Sequence, residues 1–171
     1  MNNLFGKIID TFIILVLTVS SIVCFILQFN IKTNEPLLMD DEFLPFFENF
    51  KKDADKYKVV PDFKNMSTTF TNELPEGVLA YCLPKFNTIK VSRAKWNRLD
   101  PLSRKLLLYH EWGHCALRRE HVEYTYNYSI ITCPDSIMYP YIDPTVRCYD
   151  LSPQWYDKEL FTNLNNRETI P

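Results

Sequence analysis

Between Asp100 and Leu117 the chain reads DPLSRKLLLYHEWGHCAL, and this stretch constrains the fold most strongly. Asp100 is a good helix N-cap, and Pro101 suits the first helical position, where its missing N–H costs nothing. No breaker except Gly113 follows, so the pattern predicts one helix from about Pro101 to Leu117. Leu106, Leu107, Leu108 and Tyr109 lead into its C-terminal end, so the helix reads as buried. That end carries His110, Glu111 and His114, and polar groups taken into an apolar interior must find partners there.

All three histidines of the chain lie in HEWGHCALRREH, His110 to His121. On a helix, positions i and i+4 lie on one face about one turn apart, so His110 and His114 can aim two imidazoles at one ion. Neutral imidazole is a good zinc ligand. Glu111 sits about 100° round the helix, outside the ligand set but near a water on the metal. In this HExxH arrangement zinc lowers the pKa of the water and the glutamate takes its proton. A continued helix would carry His121 about 16 Å along the axis from His110, too far for one ion. If His121 is the third ligand, the helix must stop near Leu117 and the chain must fold back. Glu120, Glu123 and Asp143 are rival ligands. The structural alternative is a polar helix face with Trp112 turned inward, and a surface histidine at 121. Downstream, CPDSIMYPY (Cys133 to Tyr141) reads as a turn around an apolar residue.

The rest of the chain bounds the options. Net charge is -2, without a basic stripe interleaved with aromatics, so no nucleic-acid partner is expected. Gly6, Gly77 and Gly113 are the only glycines, which excludes a Gly-rich phosphate loop. Residues 1–10 read as a short tail. Residues 11–30, TFIILVLTVSSIVCFILQFN, carry no charge and match the roughly 20 apolar residues that cross a bilayer. They are expected to form a single-pass transmembrane anchor, with the following domain on the extracytoplasmic side; a cleavable signal peptide and a buried core helix are the alternatives. Residues 31–40 read as a linker and 41–171 as the domain. Phe43, Phe46, Phe47, Phe50, Ala54 and Tyr57 recur at helical spacing, with Asp40 or Asp41 as cap and Pro45 in the first turn. Gly77 to Ser92 reads as a hairpin turning at Pro84 and Asn87. The chain after His121 reads as loop to about Leu151, and Ser152-Pro153 starts a final helix. Cys82, Cys115, Cys133 and Cys148 allow three pairings; free buried thiols and, less well, zinc ligation compete with disulfides.

His110, Glu111, His114 and His121, followed by Ser136-Ile137-Met138, resemble the metzincin clan of zinc metallopeptidases, which pair an HExxHxxGxxH motif with a later methionine turn. More closely, the chain is similar to bacterial and phage metallopeptidases with an HExGHCxLxRxH motif and an SIM turn, from about Asp41 to Asn163. The clan's glycine falls at Leu117 and its third histidine at Glu120, so His121 fits with a connecting loop one residue longer. The resemblance implies an α+β, zincin/metzincin-like domain with a small mixed sheet, an active-site helix and a C-terminal helix. It implies a membrane-anchored zinc peptidase acting on a peptide or protein substrate. Zn2+ would be held by His110, His114 and His121, with Glu111 as general base and Met138 as a floor below the metal. Tyr139 or Tyr141 would stabilise the oxyanion. A tethered binding or structural module with a structural or vestigial metal is the alternative from another class; a non-peptidase zinc hydrolase is a third.

Overall fold

The computed structural model describes residues 15–24 and 34–162. Contacts divide the chain into Met1–Glu35 and Pro36–Pro171. In the first unit the described residues 15–24 are helical. Among the described residues no helix is long and apolar enough to cross a membrane. This corrects the expectation of a single-pass anchor, and the membrane attachment and extracytoplasmic placement drawn from it fall with it. The composition of residues 11–30 counted apolar side chains; it did not measure a helix. The remainder of that run, 11–14 and 25–30, lies outside the described residues.

The second unit is α+β. Its strands are β1 (Leu38–Met39), β2 (Ser67–Thr71), β3 (Ala80–Leu83) and β4 (Thr88–Ser92), in the order β1-β2-β4-β3. β1 and β2 pair in parallel, as do β2 and β4, while β3 runs antiparallel to β4 on the edge. The sheet is therefore mixed, as expected. β1 falls inside the stretch read as a linker. The hairpin β3–β4 turns through a 3-10 segment, Pro84–Phe86, and Asn87 in the left-handed region at φ +47°. Asparagine tolerates that region better than most residues.

Helix α1 (Leu44–Lys56) is entered through a 3-10 turn, Asp41–Phe43, and buries Phe47, Phe50 and Ala54. The expected aspartate cap is absent: the Asp40 carboxylate instead accepts the Phe70 N–H of β2 at 2.7 Å. A short helix α2 (Arg93–Trp96) leads to α3 (Pro101–Ala116). α3 starts as predicted, with Asp100 Oδ1 accepting from the amides of Leu102 (2.9 Å) and Ser103 (3.1 Å). Phe50 of α1 meets Tyr109 and Trp112 of α3 edge-on, at ring-centroid distances of 5.0 and 5.3 Å. The buried polar atoms of those rings are satisfied: Tyr109 donates to Asp53 Oδ2 (2.8 Å) and Trp112 Nε1 to Thr68 Oγ1 (3.2 Å). α3 is thus pinned to the sheet on one side and to α1 on the other.

The segment read as loop is ordered after all. It forms a hairpin, β5 (Thr125–Tyr128) with β6 (Ile131–Pro134), and helix α4 (Ile142–Tyr149), before α5 (Pro153–Thr162). The cysteines choose one of the three pairings. Cys82–Cys115 ties edge strand β3 to α3, and Cys133–Cys148 ties β6 to α4. With 33 residues of separation, the first cross-link constrains the unfolded chain by about 3–4 kcal/mol in the chain-entropy model. Denaturant titration of a Cys82→Ser/Cys115→Ser protein should show that loss as a lower midpoint. A midpoint matching the wild type would mean the bond adds nothing to the fold.

Candidate metal centre

α3 delivers the HEWGH residues from within the core. His110 is buried, His114 half-buried, and His121 exposed. The helix ends at Ala116 with Leu117 as C-cap, within one residue of expectation. No glycine makes the turn. Arg118 takes the left-handed conformation itself, at φ +56°. Its guanidinium holds the turn by donating to the Pro84 carbonyl at 2.9 Å and pairing with Asp62 at 3.6 Å. The Arg119 amide donates back to the Gly113 carbonyl (2.9 Å), and the Val122 amide to the Met138 carbonyl (3.0 Å). The chain therefore doubles back across the end of α3 and returns His121 to its two partners.

The three imidazoles converge. His110 Nε2 lies 3.0 Å from His114 Nε2 and 3.2 Å from His121 Nε2. A ligand atom from each falls within 4.8 Å of the others, a group that can hold a metal ion. The ring protons fit that use. A carbonyl only accepts, so His110 Nδ1 must donate to Ile137 O (2.8 Å) and His114 Nδ1 to Arg119 O (2.6 Å). Neutral rings so protonated leave bare lone pairs on both Nε2 atoms, facing each other with no proton between them. A shared cation resolves that repulsion. Burial also favours the neutral, ligating form: it pushes the His110 pKa down to about 4 and lowers that of His114.

Among the described residues no carboxylate joins the group. Of the rival ligands, Glu120 and Glu123 line a hollow beside His121, and Asp143 lines a cleft beside His110 and Glu111. Cys82, Cys115, Cys133 and Cys148 are paired in disulfides, so their sulfurs are not available as thiolate ligands.

Glu111 is only 5 % exposed and its Oε2 has no hydrogen-bond partner. Burial pushes its pKa up to about 8, opposed by a hydrogen bond from the Cys82 amide on β3. A cation nearby would act in the opposite sense and favour the carboxylate. Glu111 and His110 line a cleft of about 560 Å³ with residues 77–80 leading into β3, and with Tyr139, Tyr141 and Asp143. The tyrosines singled out from sequence thus share the cleft with Glu111.

Met138 is fully buried under α3. A Cβ on Gly113 would overlap Met138 Sδ and come within 3.2 Å of Met138 Cε and 3.3 Å of Leu160 Cδ1. Gly113 therefore serves close packing and makes no turn: an added Cβ would displace the buried end of Met138. Gly113→Ala should cost about 1–3 kcal/mol through overpacking, despite alanine's better helix propensity. A denaturant midpoint equal to or above the wild type's would contradict this.

Sequence reasoning missed the Cys82 amide and the Ile137 and Arg119 carbonyls that fix Glu111 and the imidazoles. These are backbone groups, and no residue type marks them.

No family profile matches the chain, and no curated protein or solved structure matches it either. The zincin/metzincin-like fold expected from the motifs is therefore corrected to what the coordinates establish: a small α+β unit with a mixed sheet.

Proposed function

We propose that the chain is a zinc-dependent peptidase. The observation that carries this reading is the pairing of three convergent imidazoles with a buried glutamate that lines the adjoining cleft and has one carboxylate oxygen without a hydrogen-bond partner. The metal class follows from the donors. Borderline-soft nitrogen ligands suit zinc, and tetrahedral ligands at about 2.0–2.1 Å lie roughly 3.3 Å apart, close to the 3.0 and 3.2 Å that separate His110 Nε2 from the other two. Three protein ligands also fit a catalytic site, which keeps its fourth position open. A structural or vestigial metal would call for a side chain there, and neither Glu120 nor Asp143 belongs to the group. Zinc bound here supplies a Lewis acid that acidifies water and polarises a carbonyl.

The protein's own residues do the rest. Glu111, with one oxygen held by the Cys82 amide, uses the other to accept the proton of the attacking water and return it to the leaving amine. Nδ1 donation to Ile137 and Arg119 keeps the His110 and His114 rings in the ligating tautomer. Tyr139 or Tyr141 donates to the developing oxyanion from the cleft wall. A peptide substrate is favoured by the edge strand. β3 borders the sheet and its approach, residues 77–80, lines the cleft beside Glu111, so an extended chain can align there by strand addition. Metal analysis of the purified chain, combined with peptide-library cleavage by wild type and Glu111→Ala, tests the reading. About one zinc per chain and cleavage lost only in the variant is expected. Folded protein without metal, or bound zinc with no cleavage of any peptide, overturns it.

A further inference from the structure

Resting on the reading that the histidines hold a metal, we propose that Glu159 is a positioning residue that aims two of the three imidazoles from behind. It lies on α5, far from the motif in sequence, and is 6 % exposed. Its two carboxylate oxygens go to two different segments. Oε1 accepts from the Arg119 guanidinium at 2.5 Å, and Oε2 accepts from the Ser136 hydroxyl. Each segment carries the carbonyl that fixes one histidine. Arg119, 8 % exposed, is the residue whose carbonyl accepts from His114 Nδ1. Ser136 Oγ in turn accepts the Met138 amide at 2.9 Å, closing the turn around Ile137, whose carbonyl accepts from His110 Nδ1. Arg119 also donates to the Glu159 and Leu160 carbonyls, at 2.8 and 2.7 Å, so the last turn of α5 is part of the same clamp.

Stability alone is a weak account of this arrangement. A buried ion pair is often no more stabilising than apolar residues of the same volume. Here the pair joins two loops whose shared feature is that each supplies the outer partner of a ligand. Outer partners of this kind set ring tautomer and aim, and losing one weakens metal binding by roughly 10–100-fold.

The test uses the full chain and three variants. Glu159→Gln keeps the shape and removes the charge. Ser136→Ala cuts only the branch to Ile137. Asp53→Asn is the control, since it weakens a bond to Tyr109 on the same helix α3 away from the imidazoles. Zinc affinity is read by competition with a chromogenic chelator, cobalt(II) spectra report ligand geometry, and long-range proton–nitrogen NMR reads the imidazole tautomers of metal-free protein. Expected results are a roughly 10–100-fold weaker zinc affinity for Glu159→Gln with an altered cobalt spectrum. Tautomer mixing should appear at His110 and His114 in Glu159→Gln, and at His110 alone in Ser136→Ala. The control should lose stability without either change. Unchanged affinity and tautomers in Glu159→Gln overturn the proposal. If that variant does not fold, unchanged affinity and tautomers in Ser136→Ala overturn it. Wild-type protein that binds no zinc yet shows tautomers that depend on Glu159 sinks the peptidase reading and leaves the positioning role standing.

Discussion

Glu111→Gln is expected to keep the metal and to lower the rate of peptide cleavage by roughly 10²–10⁴-fold, the usual contribution of a general base. Glutamine fills the same space and its side-chain oxygen can still accept from the Cys82 amide, so the local fold has no reason to move. What it cannot do is take a proton. The loss should fall on kcat with little change in KM, because the group acts on the reacting water and not on the peptide. Glu111 lies one residue from His110 yet outside the nitrogen cluster, so metal content is the decisive second measurement. A variant that loses zinc along with activity would make Glu111 a ligand and end its assignment as base. A variant as active as wild type would end the mechanism altogether.

What could be read from residue types and what could not divides along a physical line. The α3 start was legible because Asp100 and Pro101 have a known stereochemical job, and the His110–His114 pairing because a helix has a fixed pitch. The stop near Leu117 followed from geometry on the condition that His121 is a ligand, since one ion cannot span about 16 Å. How the stop is made was not legible, since Arg118 occupies a left-handed turn that composition would assign to glycine. The β5–β6 hairpin and α4 were missed for a related reason. Their positions depend on Cys133–Cys148 and on packing against α3, which are long-range facts. The run from Thr11 to Asn30 erred in the opposite direction, since an apolar count established composition and was taken for a spanning helix. The network behind the imidazoles lay furthest out of reach. It joins residues 119, 136 and 159 through a carboxylate and two carbonyls, and nothing in their spacing connects them.

Removing a ligand should have the largest effect of all. His110 is the buried member, and its Nε2 lies 3.0 and 3.2 Å from the other two Nε2 atoms, so His110→Ala removes the ligand that is anchored in the core and breaks the i, i+4 pair. Zinc binding and cleavage should both disappear. His121 is the exposed member, on the returning loop, and His121→Ala leaves the i, i+4 pair on α3 intact. That protein should bind zinc more weakly but measurably. Because His110 is buried, its loss also destabilises the metal-free fold, and raw stabilities would mislead. The informative quantity is the difference each protein shows with and without zinc. Mass action stabilises a binding-competent fold by about 4 kcal/mol when free metal is a thousandfold above the dissociation constant. Wild type should show that increment, His121→Ala a smaller one at the same zinc concentration, and His110→Ala none. An equal increment in all three would place the metal somewhere other than these histidines, and the convergence of their Nε2 atoms would then need a different cause.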